Sequence, residues 1–120
     1  MGPTSGERGV VAANWVPDAG DIVWLNFDPQ AGHEQAGHRP AVVLSPASYN
    51  GLTGLLLCVP MTTRTKGYRF EVPIAGKRGG VALADQVKSV DWRARKATKA
   101  GKATAAELEE IRTRVRALVG

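Results

Sequence analysis

Apolar positions in this chain come in short runs divided by turn residues, and the spacing within each run predicts its secondary structure. Residues 21–27, Asp-Ile-Val-Trp-Leu-Asn-Phe, are rich in β-branched and aromatic side chains with both faces largely apolar, which predicts a strand packed on both sides. Residues 41–44 predict a short buried strand. Residues 55–61 predict a central one, because the run is continuous, apolar and too short for a helix with Pro60 inside it. Phe70, Val72 and Ile74 alternate with Glu71 and Pro73, as in a half-buried edge strand. Residues 81–83 and 87–92 predict two further short strands. Turn signals fall at Pro17-Asp18-Ala19-Gly20, at Asn50-Gly51 within a turn or single helical turn over 46–51, and at the basic segment 76–80. Residues 28–38 predict a long loop, a length often given over to binding, and 62–68 form a second polar segment.

Residues 93–102 read as a basic connector. After it, Thr104-Ala105-Ala106-Glu107 has the spacing of a capping box, in which each side chain satisfies a free backbone donor at a helix start. Leu108, Ile111, Val115, Leu118 and Val119 follow at helical spacing. Acidic side chains early and Arg112, Arg114 and Arg116 late suit the helix dipole. Many short strands with turns between them, then one amphipathic helix, predict a small and strongly bent β-barrel with a terminal helix. At 120 residues one domain is expected. Residues 1–14 are small, glycine-bearing and unpatterned; they are expected to be a flexible extension preceding a domain over 15–120.

Composition narrows the class. No apolar run reaches spanning length, and residues 1–15 lack the apolar core of a signal peptide. Cys58 is the single cysteine and sits in an apolar run, so it reads as a small buried hydrophobe and fits a reducing cytoplasm rather than a disulfide fold. Net charge is +5, divided unevenly: residues 1–60 sum to −3 and residues 61–120 to +8. A basic half of this kind points to a polyanionic partner, nucleic acid first. Two histidines and one isolated cysteine give no zinc-like ligand spacing, so no metal or cofactor is expected.

The densest chemistry lies in one stretch. Glu34, Gln35, His38 and Arg39 stand within six residues, immediately before an apolar strand, and Thr62-Thr63 follow the central strand. Reactive groups on a loop pinned by a rigid strand are a common way to build a site. RNA cleavage needs no metal when the ribose 2'-hydroxyl is the nucleophile. It needs a base for that proton, an acid for the leaving 5'-oxygen and a cation for the charge gathering on phosphorus. A carboxylate or neutral imidazole serves as base, a guanidinium matches phosphate through two parallel bonds, and a hydroxyl fixes a phosphate oxygen. Taken singly, each of these residues also has an ordinary surface or turn reading.

In combination they resemble the MazF/PemK family of toxin endoribonucleases. The resemblance is carried by Pro17-Asp18-Ala19-Gly20-Asp21, by 34–46 (Glu-Gln-Ala-Gly-His-Arg-Pro-Ala-Val-Val-Leu-Ser-Pro), by Cys58-Val59-Pro60-Met61-Thr62-Thr63, by Lys66-Gly67-Tyr68 and by 80–89 (Gly-Val-Ala-Leu-Ala-Asp-Gln-Val-Lys-Ser). It runs collinearly from about Trp15 to Gly120. The resemblance implies a mainly β, SH3-like barrel of the CcdB/MazF/Kid type with a C-terminal amphipathic α-helix, and a cytoplasmic homodimer. It implies metal-independent, sequence-specific cutting of single-stranded RNA to 2',3'-cyclic phosphate and 5'-hydroxyl ends, held in check by an acidic MazE-type antitoxin. Carried over by position, Arg39 is the catalytic acid or phosphorane stabiliser, Thr62 holds the scissile phosphate and Glu34 is the base. Gln35, His38, Asn50, Thr63, Lys66, Gln86 and Lys88 are substrate contacts.

The segment before Trp15 has no counterpart in the family, and the turn 76–80 is shortened, which leaves the recognition sequence open. A non-enzymatic alternative on the same barrel is a CcdB-like toxin that binds DNA gyrase through an aromatic residue near the chain end. This chain has no aromatic after Trp92, which weighs against it. A plain RNA-binding barrel is the third reading.

Overall fold

The structure is a computed structural model and describes residues 15–27, 32–33, 37–76 and 80–120. Among these residues, seven strands and two α-helices follow in the order β1 (Asp21–Asn26), β2 (His38–Val43), α1 (Ala47–Thr53), β3 (Leu55–Thr62), β4 (Glu71–Pro73), β5 (Val81–Leu83), β6 (Lys88–Asp91), β7 (Thr98–Lys102) and α2 (Ala105–Val119). A single turn of 3-10 helix over Ala84–Gln86 links β5 to β6. All pairings are antiparallel, in the order β4-β5-β3-β2-β1-β7, with β6 also on β3. Among the described residues the sheet is not closed, with β4 and β7 at the ends of the order.

β3 is the hinge of the architecture. Its first half pairs with β6 over Leu55–Cys58, its middle with β2, and its last residues, Met61 and Thr62, with β5. Every residue from Cys58 to Thr62 is buried, because alternate side chains enter two different apolar clusters. Val42, Val59, Met61, Val72 and Ala82 form one, closed by Ile111 of α2. Val23, Leu25, Phe27, Ala41, Val43, Cys58 and Trp92 form the other.

The capping box is present as expected: the Glu107 N–H donates to Thr104 Oγ1 (3.0 Å) and the Thr104 N–H to Glu107 Oε1 (2.9 Å). Glu107 Oε2 also accepts from the Ala75 N–H at 2.7 Å, which ties the helix to the end of β4. Ile111 is fully buried, with Leu108 and Val115 packed beside it. Leu118 and Val119, expected on the same stripe, are exposed because the helix runs past the core by its last turn.

Two expectations are corrected. The segment 93–102 is not wholly a connector, since Thr98–Lys102 pairs with β1 as an edge strand. Thr-Lys-Ala-Gly-Lys has no alternation to betray it, and its side chains are largely exposed; backbone pairing holds it rather than burial. β2 begins at His38 instead of 41, because Asn26 and Leu25 of β1 extend the ladder to His38 and Arg39. Pro40 itself favours an extended conformation in the residue before it, so Arg39 is disposed to join the strand.

Asp18 and Glu107 make stability depend on acid. Hydrogen bonds from the Ala47 and Ala19 N–H groups hold the Asp18 carboxyl below its ordinary pKa. Burial acts to raise that of Glu107, but bonds from the Thr104 and Ala75 N–H groups and the Thr104 side chain outweigh it, and the net shift is downward. A depressed native pKa contributes stability above the unfolded-state value, and that stability is lost as pH falls through the native value. The melting temperature should therefore fall as the pH drops below about 4.5. The double variant Asp18→Asn/Glu107→Gln should start lower at pH 7 and show a flatter profile below that point; an unchanged profile would exclude these two carboxyls.

Candidate nucleic-acid interface

Strand registers decide which of the candidate side chains meet. Leu25 is paired with Arg39, so Phe27, Leu25, Arg39 and Ala41 share a face. Ala41 is paired with Pro60, and alternation along β3 adds Cys58 and Thr62 to that face. Cys58 is paired with Lys88, which completes the set. A contact agrees with this count: Lys88 Nζ lies 5.3 Å from the centre of the Phe27 ring. Arg39, Thr62 and Lys88, far apart in sequence, are thus placed on one face by two ladders that share β3. Arg39 and Thr62 each lie two residues beyond the Ala41–Pro60 pair, at the same end of the β2–β3 ladder.

Thr62 is 6% exposed, and its Oγ1 accepts from the Arg64 N–H at 3.1 Å, so the hydroxyl is oriented by the chain that follows it. Its backbone is crowded by Gly80: a Cβ there would lie 2.8 Å from the Thr62 carbonyl oxygen, at a φ of +100°. Glycine is required on both counts. Gly80→Ala should lower stability by about 2 kcal/mol. On the role that the family resemblance implies for Thr62, displacing it should also cut RNA cleavage about tenfold. Thermal melts and rates on one preparation check both; a variant with unchanged rate would detach Thr62 from the chemistry.

His38 is set apart from its neighbour Arg39. Alternation sends it to the opposite face of β2, where its ring stacks on Trp24 with centres 5.2 Å apart and planes 26° off parallel. On that face Trp24, Pro40, Met61, Ile22, Ile74 and Lys102 line a cavity of about 480 Å³. This cavity therefore lies across the sheet from Arg39 and Thr62.

Asn50 is likewise separated from them. It is fully buried; its Nδ2 donates to the carbonyls of Pro17 (2.7 Å) and Ser45 (3.0 Å), and its Oδ1 accepts from Ser45 Oγ at 2.6 Å. Its own carbonyl accepts from Trp92 Nε1 at 3.0 Å. This is a structural pin holding the entry to β1, the start of α1 and the turn after β6, and it offers no group to a ligand.

Thr63 and Lys66 are exposed on the segment after β3, and Gln86 is half-buried at the end of the 3-10 turn. Glu34 and Gln35 lie outside the described residues. Burial pushes the Cys58 thiol up to about 12 despite the nearby charges of Lys88 and Arg95, so it stays neutral and takes no part as a nucleophile. Among the described residues no three of His, Cys, Asp and Glu gather in a group that would hold a metal ion. No helix there is long and apolar enough to cross a membrane. Sequence reasoning missed Phe27, which lies inside a strand pattern, and Gly80, whose contact with Thr62 is 18 residues away along the chain and carries no local signal.

Comparison with known proteins agrees with this frame. Residues 18–119 match the family model described as the PemK-like, MazF-like toxin of type II toxin–antitoxin systems. The chain is 58% identical over 111 residues to the endoribonuclease toxin MazF of Escherichia coli K12, which covers 92% of this chain and all of that one. It is 41% identical over 109 residues to the endoribonuclease toxin ChpB of the same organism, covering 85% and 93%. Among solved structures, MazF from Deinococcus radiodurans superposes with a TM-score of 0.86 at 54% identity, covering 89% of this chain and 99% of that one. A MazE–MazF complex from that organism superposes at 0.79 and 48% identity, covering 89% and 98%.

Proposed function

The chain belongs to the PemK-like, MazF-like toxins of type II toxin–antitoxin systems and is an endoribonuclease, and from that premise we propose how its residues cut RNA. Single-stranded RNA lies against the face carrying Arg39, Thr62 and Lys88. The 2'-hydroxyl attacks the adjacent phosphorus and the 5'-oxygen leaves, giving a 2',3'-cyclic phosphate and a 5'-hydroxyl without a metal ion. Arg39 meets the phosphorane oxygens, where a guanidinium remains charged and makes two parallel bonds. Thr62 fixes a phosphate oxygen through its oriented hydroxyl. Glu34 accepts the 2'-proton. Lys88, Gln86, Lys66, Thr63 and Gln35 position the flanking nucleotides. His38, stacked on Trp24 across β2, serves an outlying nucleotide rather than the reaction centre. Asn50 has no place in the set.

The observation that carries the reading is the convergence of Arg39, Thr62 and Lys88 through the β2–β3 and β3–β6 ladders onto one face of the sheet. The gyrase-binding alternative is not favoured, since the similar proteins are endoribonucleases. Incubating a long defined single-stranded RNA with the protein and excess EDTA, then mapping ends by primer extension, tests the function. Discrete cuts at one short shared sequence are expected; an intact RNA with folded, antitoxin-free protein would refute it.

The toxin unit spans 15–120, and the active form is a cytoplasmic homodimer blocked by an acidic MazE-type antitoxin. Support for self-association is an apolar patch from Tyr49 and Leu52 of α1 and Leu55 and Leu57 of β3; Leu52 is 87% exposed. Sedimentation should give the mass of two chains at micromolar concentration, and a single-chain mass would count against the dimer.

A further inference from the structure

The segment after β3, Thr63–Tyr68, is exposed and has no regular secondary structure, yet its backbone is tied at several points. The Arg64 N–H donates to Thr62 Oγ1. The Lys66 and Gly67 N–H groups donate to the two carboxylate oxygens of Glu71, at 2.8 and 2.9 Å. The Glu71 N–H returns a bond to the Tyr68 carbonyl at 3.1 Å, and Tyr68 Oη donates to Asp85 at 3.2 Å. Successive N–H groups converging on one anion, with Gly67 at a φ of +79°, form a backbone nest. Its occupant here is a side chain of the protein itself.

Glu71 is the only acidic residue between 61 and 84. A carboxylate beside a polyanion groove repels phosphate unless its charge is taken up, and both of its oxygens are engaged by the segment that carries Arg64 and Lys66. Tyr68 completes the frame: burial raises its pKa, as do the charge of Asp85, the hydrogen bond to it and the charge of Glu71, so the phenol remains a donor. Asp85 in turn precedes Gln86 on the 3-10 turn, so the segment bearing Lys66 is fixed to the one bearing Gln86.

We propose that Glu71 is a positioning residue for RNA binding: its carboxylate, seated in the Lys66–Gly67 nest, holds the Thr63–Tyr68 segment so that Lys66 meets a phosphate without ordering on contact. The inference rests on the ribonuclease reading. Fixing an exposed segment in advance removes an entropy cost that binding would otherwise bear.

The test is a double-mutant cycle on Glu71→Gln and Lys66→Ala. Gln is isosteric but bears an amide N–H₂ where one carboxylate oxygen accepted. The probe is an RNA oligonucleotide carrying a mapped cut site with 2'-deoxyribose at the scissile position, so that it binds uncut; Kd is read by anisotropy across salt concentrations. Each single variant should weaken binding about tenfold and lower the salt slope by about one. The double variant should be no worse than either alone within about twofold. For cleavable RNA, KM should follow Kd while kcat moves less than about twofold.

Multiplying losses in the double variant, or Glu71→Gln binding like the parent, would overturn the proposal while leaving the ribonuclease reading intact. A fall in kcat at unchanged KM would assign Glu71 to support of Thr62 and overturn it as well. A parent protein that neither binds nor cuts the mapped RNA would overturn the ribonuclease reading itself, and this inference with it.

Discussion

Arg39→Ala is expected to lower kcat/KM for RNA cleavage by about a thousandfold, or about 4 kcal/mol of transition-state stabilisation. The pentacoordinate phosphorus carries more negative charge than the ground-state diester, so a cation fixed beside it binds the transition state more tightly than the substrate. β2 supplies the fixing: Arg39 is half-buried within the ladder opposite Leu25 and is followed by Pro40, so its backbone is set before RNA arrives. Most of the loss should fall on kcat, with RNA binding largely kept. Arg39→Lys should recover only part of the rate, because an ammonium presents a point charge where the guanidinium presents a planar fork. Folding should change little, by under about 1 kcal/mol, as Arg39 is only half-buried. Single-turnover rates on saturating RNA separate the two effects. An Arg39→Ala protein that cuts at the parent rate would remove this residue from the chemistry.

Asn50→Ala is expected to act on the other quantity. It removes three hydrogen bonds from a fully buried position and leaves the Pro17 carbonyl, the Ser45 carbonyl and the Ser45 hydroxyl short of a partner. At about 1 kcal/mol for each, the cost is about 3 kcal/mol, a drop in melting temperature of roughly 10 °C. Asn50→Asp should be at least as damaging, because it places a charge where two donors stood. Cleavage per folded molecule should stay close to parental at a temperature where both proteins are folded. Were Asn50 a substrate contact, the pattern would reverse: weaker RNA binding at an unchanged melting temperature.

The contrast between those two residues shows how far the amino-acid pattern reaches. Apolar runs placed β1 and β3 within a residue or so, and the Thr104–Glu107 spacing placed the start of α2, because burial and capping are local and leave periodic marks. β7 left none: Thr98–Lys102 is held by backbone pairing with β1, which any exposed polar sequence satisfies. The Asn50-Gly51 pair does signal a turn, but nothing local tells that the Asn50 side chain points inward to Pro17, 33 residues earlier. His38 and Arg39 are adjacent in sequence and read as one cluster. Once β2 is seen to begin at His38, strand alternation alone separates them onto opposite faces. Resemblance located the candidate residues, and register showed which of them share a surface. Glu34 and Gln35 lie outside the described residues, so the base in the proposed reaction rests on its motif position.

The same geometry gives the segment between β3 and β4 its part. Thr62 ends the buried strand, Gly80 presses on its carbonyl, and Glu71 and Asp85 hold the exposed residues that follow. In the proposed reaction, rigid strands set the reacting groups, and short tied segments set the groups that grip the flanking chain.

In the proposed reaction the ribose 2'-hydroxyl is the nucleophile on the Arg39–Thr62 face. The decisive measurement is cutting of two versions of one mapped RNA in excess EDTA, one all-ribose and one with a single 2'-deoxyribose at the scissile position. The ribose strand should be cut to fragments with 5'-hydroxyl and 2',3'-cyclic phosphate ends, and the deoxy-substituted strand should stay whole. Cutting of the substituted strand, or products with 5'-phosphate and 3'-hydroxyl ends, would contradict that reaction.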